Sequence, residues 1–113
     1  MDRIHYAGET FVTGTAIAVA LLDYARLLAE RDTSDTVDVP TLDDDDTVRR
    51  TRFLIGPASQ LASDEVESDA DEIVDEVLLA DIHDRTARLG GNVAVAGDAA
   101  LPYEVDGLRE YEL

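Results

Sequence analysis

Several groups of residues in this chain have the types and spacing to do chemistry, and each implies a different one. The stretch Phe53-Leu54-Ile55-Gly56-Pro57-Ala58-Ser59-Gln60-Leu61 places a serine just after an apolar run, where a strand-to-helix elbow would present a nucleophile. Such an elbow carries Gly-x-Ser-x-Gly and needs a base with an orienting acid. Here Gly56 precedes Ser59 by three residues, no glycine follows closely, and the candidate bases are only His5 and His83. Gly-Pro after an apolar strand is a strong turn signal, and Ser and Gln are ordinary in the residues that follow it. Ser59 and Gln60 are therefore read as a turn, with ligand contact by the loop as the functional alternative.

The two histidines and many carboxylates raise the question of a metal. The spacing answers against it, because His83-Asp84 has no partner histidine one turn away and the His-Glu-x-x-His pattern is absent. Asp43 to Asp46 offer oxygen ligands for Mg²⁺ or Ca²⁺, yet the glycine and terminal glutamate of an EF-hand loop are missing, and a solvated hairpin tip accounts for them. Gly8-Glu9-Thr10-Phe11-Val12-Thr13-Gly14-Thr15 has glycines at phosphate-loop spacing before a helix, but no lysine follows. A free helix N-terminus could still accept a small anion there. No catalytic residue, metal ligand or cofactor is assigned.

Arg49, Arg50 and Arg52 place a third of the nine basic residues within one short stretch. On a strand, Arg50 and Arg52 share a face, able to hold an acidic ligand or the acidic helix of another subunit. The competing reading is cross-strand pairing with Asp38 and its neighbours. The candidate ligand or partner contacts are thus Arg50, Arg52, Ser59, Gln60 and His5.

The elements that must position these residues follow from hydrophobic period and turn chemistry. Ile4 to Tyr6 and Phe11 to Thr13 read as short strands around Ala7-Gly8-Glu9, with Thr13 as N-cap of a helix over about 14–31. That helix is apolar almost all round apart from a ridge of Asp23, Arg26 and Glu30, so the rest of the chain or a second copy must cover it. A β-hairpin is expected over about 34–55. The register that sets Val37 opposite Phe53, Val39 opposite Thr51 and Asp38 opposite Arg52 is preferred, because it segregates apolar from charged residues. A strand from Leu61 to Val66 follows the Gly-Pro turn.

Asp69 and Glu72 resemble a capping box opening a second helix over about 70–89. Its apolar face would be Ile73, Val74, Val77, Leu78 and Ile82, with Gly90-Gly91 as terminator. Asn92 to Ala96 reads as a final short strand, and about 98–113 as irregular with Tyr103, Leu108 and Tyr111 as anchors. The expected fold is α+β in one domain over 1–113: a small, mainly antiparallel sheet packed against two helices.

The charge is the strongest compositional signal, with 26 acidic residues against 9 basic, every basic residue an arginine, and a formal net charge of −17. Repulsion of that size opposes compaction at low ionic strength and is screened in molar salt, where the Debye length is about 3 Å. The dispersal of acid along the chain favours adaptation to a salt-rich cytoplasm over a dedicated docking tail. Direct nucleic-acid binding is disfavoured for want of a basic surface. The apolar run Ala16 to Leu22 is too short to span a membrane, and Met1 to His5 lacks a secretory apolar core. Without cysteine there are neither disulfides nor thiolate chemistry.

The leading functional expectation is a non-enzymatic interaction or assembly module, cytoplasmic, with a protein partner or as a homo-oligomer. A homodimer through the helix at 14–31 or a sheet edge is favoured. The alternative is a small enzyme or ligand-binding protein with a pocket near the Gly14 helix start and the Gly56–Gln60 turn, using His5, Ser59 or an acid. A third reading is an acidic mimic of nucleic acid, motivated by the acid between Asp64 and Asp84.

Overall fold

The computed structural model of the chain describes residues 1–90. The strand expected at 92–96 and the segment at 98–113 lie outside the described residues. The element order is β1 (Asp2–Tyr6), β2 (Glu9–Thr13), α1 (Thr15–Glu30), β3 (Asp35–Leu42), β4 (Val48–Ile55), β5 (Leu61–Glu65) and α2 (Glu76–Arg88). The strands form one five-stranded sheet in the order β4-β3-β2-β1-β5, with every neighbouring pair antiparallel. The fold is α+β.

The β1–β2 hairpin turns on two residues, Ala7 and Gly8, at φ 52° and 82°. Positive φ at both central positions matches the right-handed twist of the flanking strands. The β3–β4 register is the one that segregates polarity: Val37 faces Phe53, Asp38 faces Arg52 and Val39 faces Thr51. Val37, Val39, Phe53 and Ile55 are buried, whereas Asp38, Arg50 and Arg52 are exposed. A slip by one residue would have inverted both faces.

The sheet is not flat. The β2–β3 seam rests on the single pair Val12↔Leu42, and nearby Pro40 has no N–H to contribute to a ladder. The Thr13 hydroxyl instead donates to the Pro40 carbonyl at 2.7 Å. In a flat sheet β1 and β4 would lie roughly 14 Å apart. Yet the Tyr6 hydroxyl donates to the Leu54 carbonyl at 2.6 Å. The two hairpins therefore fold over each other, and Phe53 sits edge-on to both Tyr6 and Phe11, with ring centroids 5.4 and 5.1 Å away.

Helix α1 fills the space between the curled sheet and α2. Ile17, Ala18, Ala20, Leu21, Tyr24, Leu27 and Leu28 are all buried, leaving Ala16, Val19, Arg26, Ala29 and Glu30 as its exposed residues. The chain itself thus covers the helix whose apolar character suggested a second copy, and that motive for a dimer through α1 is removed.

Two caps differ from expectation. Gly14, not Thr13, is the N-cap residue of α1, without a side-chain cap of its own, because the Thr13 hydroxyl is engaged by Pro40. The second helix begins at Glu76, not near Ala70. Asp75 is its cap, accepting from the Leu78 N–H at 3.0 Å. Glu72, expected in the capping box of the second helix, caps the first one: its Oε2 accepts from the Thr15 N–H at 2.7 Å, while Oε1 takes the Met1 ammonium at 2.9 Å. The later start also leaves Ile73 and Val74 outside the helix. Leu78, Ile82 and Thr86 point inward, and Val74 and Val77 are 63% and 82% exposed. Among the described residues, no helix is long and apolar enough to cross a membrane.

Candidate functional site

The two ends of the sheet are built differently. At one end, Asp2 is buried and its carboxylate accepts from the hydroxyls of Thr15 at 2.8 Å and Ser63 at 2.9 Å. Glu72 joins the Met1 ammonium to the start of α1 close by. The Thr15 N–H and the Met1 ammonium pull the Glu72 carboxyl below its ordinary value despite the opposing effect of desolvation. The N-terminus of α1 already holds a carboxylate, and Gly14 is packed so closely that a Cβ there would lie 1.9 Å from the Ile73 carbonyl oxygen.

The opposite end carries the candidate site. A cleft of about 820 Å³ opens between the Ala7–Gly8 turn and the loop from Gly56 to Gln60, with Ser34, Leu54 and Leu61 on its walls. His5, Ser59 and Gln60 all line it. Gly14 does not, because the length of β2 separates it from the turn. His5, Ser59 and Gln60, three of the five candidate contacts, thus share one cleft, through strands whose order brings the end of β4 and the start of β5 beside the β1–β2 turn.

Ser59 is engaged in its own turn. Its Oγ accepts from the Gly56 N–H at 3.1 Å and donates to the Leu54 carbonyl at 3.3 Å, while its N–H donates to the Gly56 carbonyl at 3.0 Å. The hydroxyl proton points at a carbonyl and not at a base, so the arrangement is that of a serine-stapled turn. His5 places Nε2 2.6 Å from Asp64 Oδ1, on a strand pair where Arg3 also reaches Asp64 at 3.4 Å. That cluster is exposed and lies along the β1–β5 ladder. His5 and Ser59 share the cleft, but each has a partner other than the other.

Arg50 and Arg52 are elsewhere. With Arg85 they line a groove of about 530 Å³ between the outer face of β3–β4 and α2, together with Asp38, Asp81 and Leu78. Arg52 pairs with Asp38 at 2.9 Å, Arg50 with Asp75 at 3.3 Å and Arg49 with Asp43 at 3.0 Å. The cross-strand pairing expected of Asp38 is therefore present, and the second carboxylate comes from the cap of α2. Exposed pairs of this kind are screened by solvent and contribute little to stability. Asp43 also accepts from the Asp44 N–H, and Asp45 from the Thr47 N–H, so the acidic tip is structured by its own backbone.

One ion-pair node was not legible in the sequence. The Tyr24 hydroxyl donates to Asp35 Oδ2 at 2.5 Å, and the same oxygen receives Arg85 at 2.9 Å, joining α1, β3 and α2. Burial, then the bond to Asp35 and its charge, push the Tyr24 hydroxyl up to about 12. Burial also opposes ionisation of Asp35, but the Tyr24 hydroxyl, the Thr36 N–H and Arg85 outweigh it and hold the carboxyl below its ordinary range. On α2, Asp81 and Asp84 are each bridged to an arginine one turn on, Arg85 and Arg88, so that face alternates in sign. Among the described residues, no three His, Asp or Glu side chains gather as a metal-holding set.

Among the cleft residues missed from sequence are Tyr6, Glu9, Ser34, Leu54 and Leu61. Their signal was geometric: a two-residue turn at Ala7-Gly8 and a loop at Gly56–Gln60 fall at the same end once the strands alternate in direction. Comparison with known proteins adds no assignment: no family model, curated protein or solved structure matches the chain.

Proposed function

We propose that the protein is a non-enzymatic binding module whose contact surface is the cleft between the Ala7–Gly8 turn and the Gly56–Gln60 loop, working in a salt-rich cytoplasm. The observation that carries this reading is the convergence of His5, Ser59 and Gln60 on one depression of about 820 Å³ whose lining includes Leu54, Pro57 and Leu61. A concave site with apolar walls and a few polar groups is the ordinary form of a ligand site. Binding is favoured over catalysis by the use of the Ser59 hydroxyl inside its own turn and of the His5 ring at Asp64. The composition supports the salt-rich setting.

A second reading, contact with a protein partner, is favoured by the groove that Arg50, Arg52 and Arg85 line. Its arginines are already paired to carboxylates of the same chain, so a partner there must displace those pairs. One experiment separates the two readings. The tagged protein, a Leu54→Glu variant and an Arg50→Ser/Arg52→Ser variant are purified side by side from native cells in molar KCl, and bound small molecules and proteins are identified by mass spectrometry. A small molecule retained by the wild type and the arginine variant but lost with Leu54→Glu supports the cleft. A stoichiometric protein lost only from the arginine variant, with no cleft-dependent compound, overturns it in favour of the groove.

A further inference from the structure

The chain between β5 and α2, residues 66–75, crosses the tied end of the molecule without joining a strand or a helix. One anchor is the Val66 N–H, which donates to the Met1 carbonyl at 3.1 Å. The other is Asp75, which caps α2 and pairs with Arg50 at 3.3 Å. Among the described residues, no backbone–backbone hydrogen bond joins residues 67–74 to the rest of the fold. Their polar attachment is Glu72, through the Thr15 N–H at 2.7 Å and the Met1 ammonium at 2.9 Å. Ile73 adds an apolar one, half-buried against the core with its carbonyl close over Gly14.

Charge works against these attachments. Glu65, Glu67, Asp69 and Asp71 recur at every second residue, Glu72 follows, and no arginine lies between Arg52 and Arg85. Among the described residues, Glu67, Asp69 and Asp71 enter no ion pair. Residues two apart have Cα atoms at most about 7 Å from each other. That spacing exceeds the Debye length of about 3 Å at 1 M salt and falls inside the length of about 10 Å at 0.1 M. Repulsion along this segment is therefore screened in molar salt and unscreened in dilute salt. The acidic tip of β3–β4 differs, because Asp43 and Asp46 are tied by backbone bonds and Arg49 answers Asp43.

We propose that residues 67–74 act as a salt-gated strap, closed over the first turn of α1 in molar salt and released in dilute salt while the sheet stays folded. Release removes the Glu72 cap from the Thr15 N–H, uncovers Gly14 and exposes Ile73. The β3–β4 ladder does not pass through the strap, so its opening is local. The cleft lies at the other end of the sheet, and the gate does not depend on what the cleft binds.

The test follows amide hydrogen exchange by NMR in the ¹⁵N-labelled full chain, between about 1 M and about 0.1 M KCl. A pair of like charges about 7 Å apart in water is worth about threefold before screening. On going to the lower salt, exchange at the Thr15 amide should therefore accelerate about fivefold more than exchange at Val37 and Phe53. Sodium chloride at equal ionic strength should act like potassium chloride. The triple variant Glu67→Gln/Asp69→Asn/Asp71→Asn leaves Glu72 and Ile73 in place and should bring the excess at Thr15 to within about twofold.

A Thr15 amide that follows Val37 and Phe53 at every salt concentration would overturn the strap, since the fold then loosens as one unit. An undiminished salt response in the triple variant would do the same. So would closure by potassium that equal sodium does not produce, because it marks a bound ion in place of screening.

Discussion

Replacing Gly14 by alanine tests how the tied end of the molecule is held. Gly14 has φ −65° and ψ 147°, a conformation that alanine adopts without strain. Considered alone, the substitution should stabilise the protein by about 0.4–1 kcal/mol, by reducing the freedom of the unfolded chain. The surroundings reverse the sign. The new Cβ would lie 1.9 Å from the Ile73 carbonyl oxygen and 3.0 Å from its carbon, backbone atoms that no rotamer change removes. The segment carrying Ile73 must retreat by about an ångström to restore van der Waals contact. Glu72 adjoins Ile73, so its 2.7 Å bond to the Thr15 N–H and its pair with Met1 stretch with it. Overpacking costs about 1–3 kcal/mol and loss of a cap about 1 kcal/mol. The net destabilisation is then roughly 2 kcal/mol, or a fall in Tm of roughly 10 °C. Thermal unfolding followed by circular dichroism in molar KCl measures it. A Tm unchanged or raised in Gly14→Ala would refute the packing of the 72–75 segment on the start of α1.

Three further outcomes follow from other sites. Because its carboxyl is held below the ordinary 4.5, Glu72 contributes stability that is fully present above that value and is lost as the pH falls through its lower folded value; Glu72→Gln should lower Tm at neutral pH and remove that part of the acid dependence, as pH-dependent thermal melts will show. Tyr24→Phe removes a hydrogen bond to a charged group and should cost about 1.5 kcal/mol in denaturant unfolding; since the hydroxyl is raised from 10.0 to about 12, its contribution is present below 10.0 and is lost as the pH rises through about 12, an alkaline loss that the phenylalanine variant will lack. Ala7 sits at φ 52° in a tight turn, so Ala7→Asn should raise stability by about 0.5–1 kcal/mol, read as a higher denaturant midpoint.

The sequence carried both hairpins and the β3–β4 register because that register depends on alternation, which is local: Val37, Val39 and Phe53 can share a face in only one pairing. Helix α1 was legible from its apolar residues, but not what covers it, since burial by α2 and the curled sheet depends on the whole topology. The start of α2 was misplaced for a specific reason. Asp69 and Glu72 have capping-box spacing, and nothing local reveals that Glu72 is drawn away to the Met1 ammonium and the Thr15 N–H. His5, Ser59 and Gln60 could be marked as chemically suggestive, and the Gly56–Gln60 loop located. Glu9 and Leu54 could not, because their place in the cleft follows from the folding of one hairpin over the other. The Tyr24–Asp35–Arg85 node is likewise assembled from three elements with no shared motif.

The contrast between the two ends of the sheet gives the cleft its physical setting. The end at Asp2 and Gly14 is fixed by a buried carboxylate with two hydroxyl donors, a capped helix and a terminal ammonium, all converging within the first turn of α1. The cleft end is closed by the Tyr6 hydroxyl on the Leu54 carbonyl and by a two-residue turn carrying an alanine at positive φ. A polar network at one end holds the strands and helices in register, and the other end is left to loops whose side chains are exposed. Adaptable contact residues on a rigid scaffold are what a binding surface requires. The Leu54 carbonyl joins these demands: it receives both the Tyr6 hydroxyl that folds the hairpins together and the Ser59 hydroxyl that shapes the loop. Loss of the Tyr6 bond would therefore loosen the sheet closure and the cleft wall together, so that the shape of the cleft is tied to the curl of the sheet and not to the loop alone.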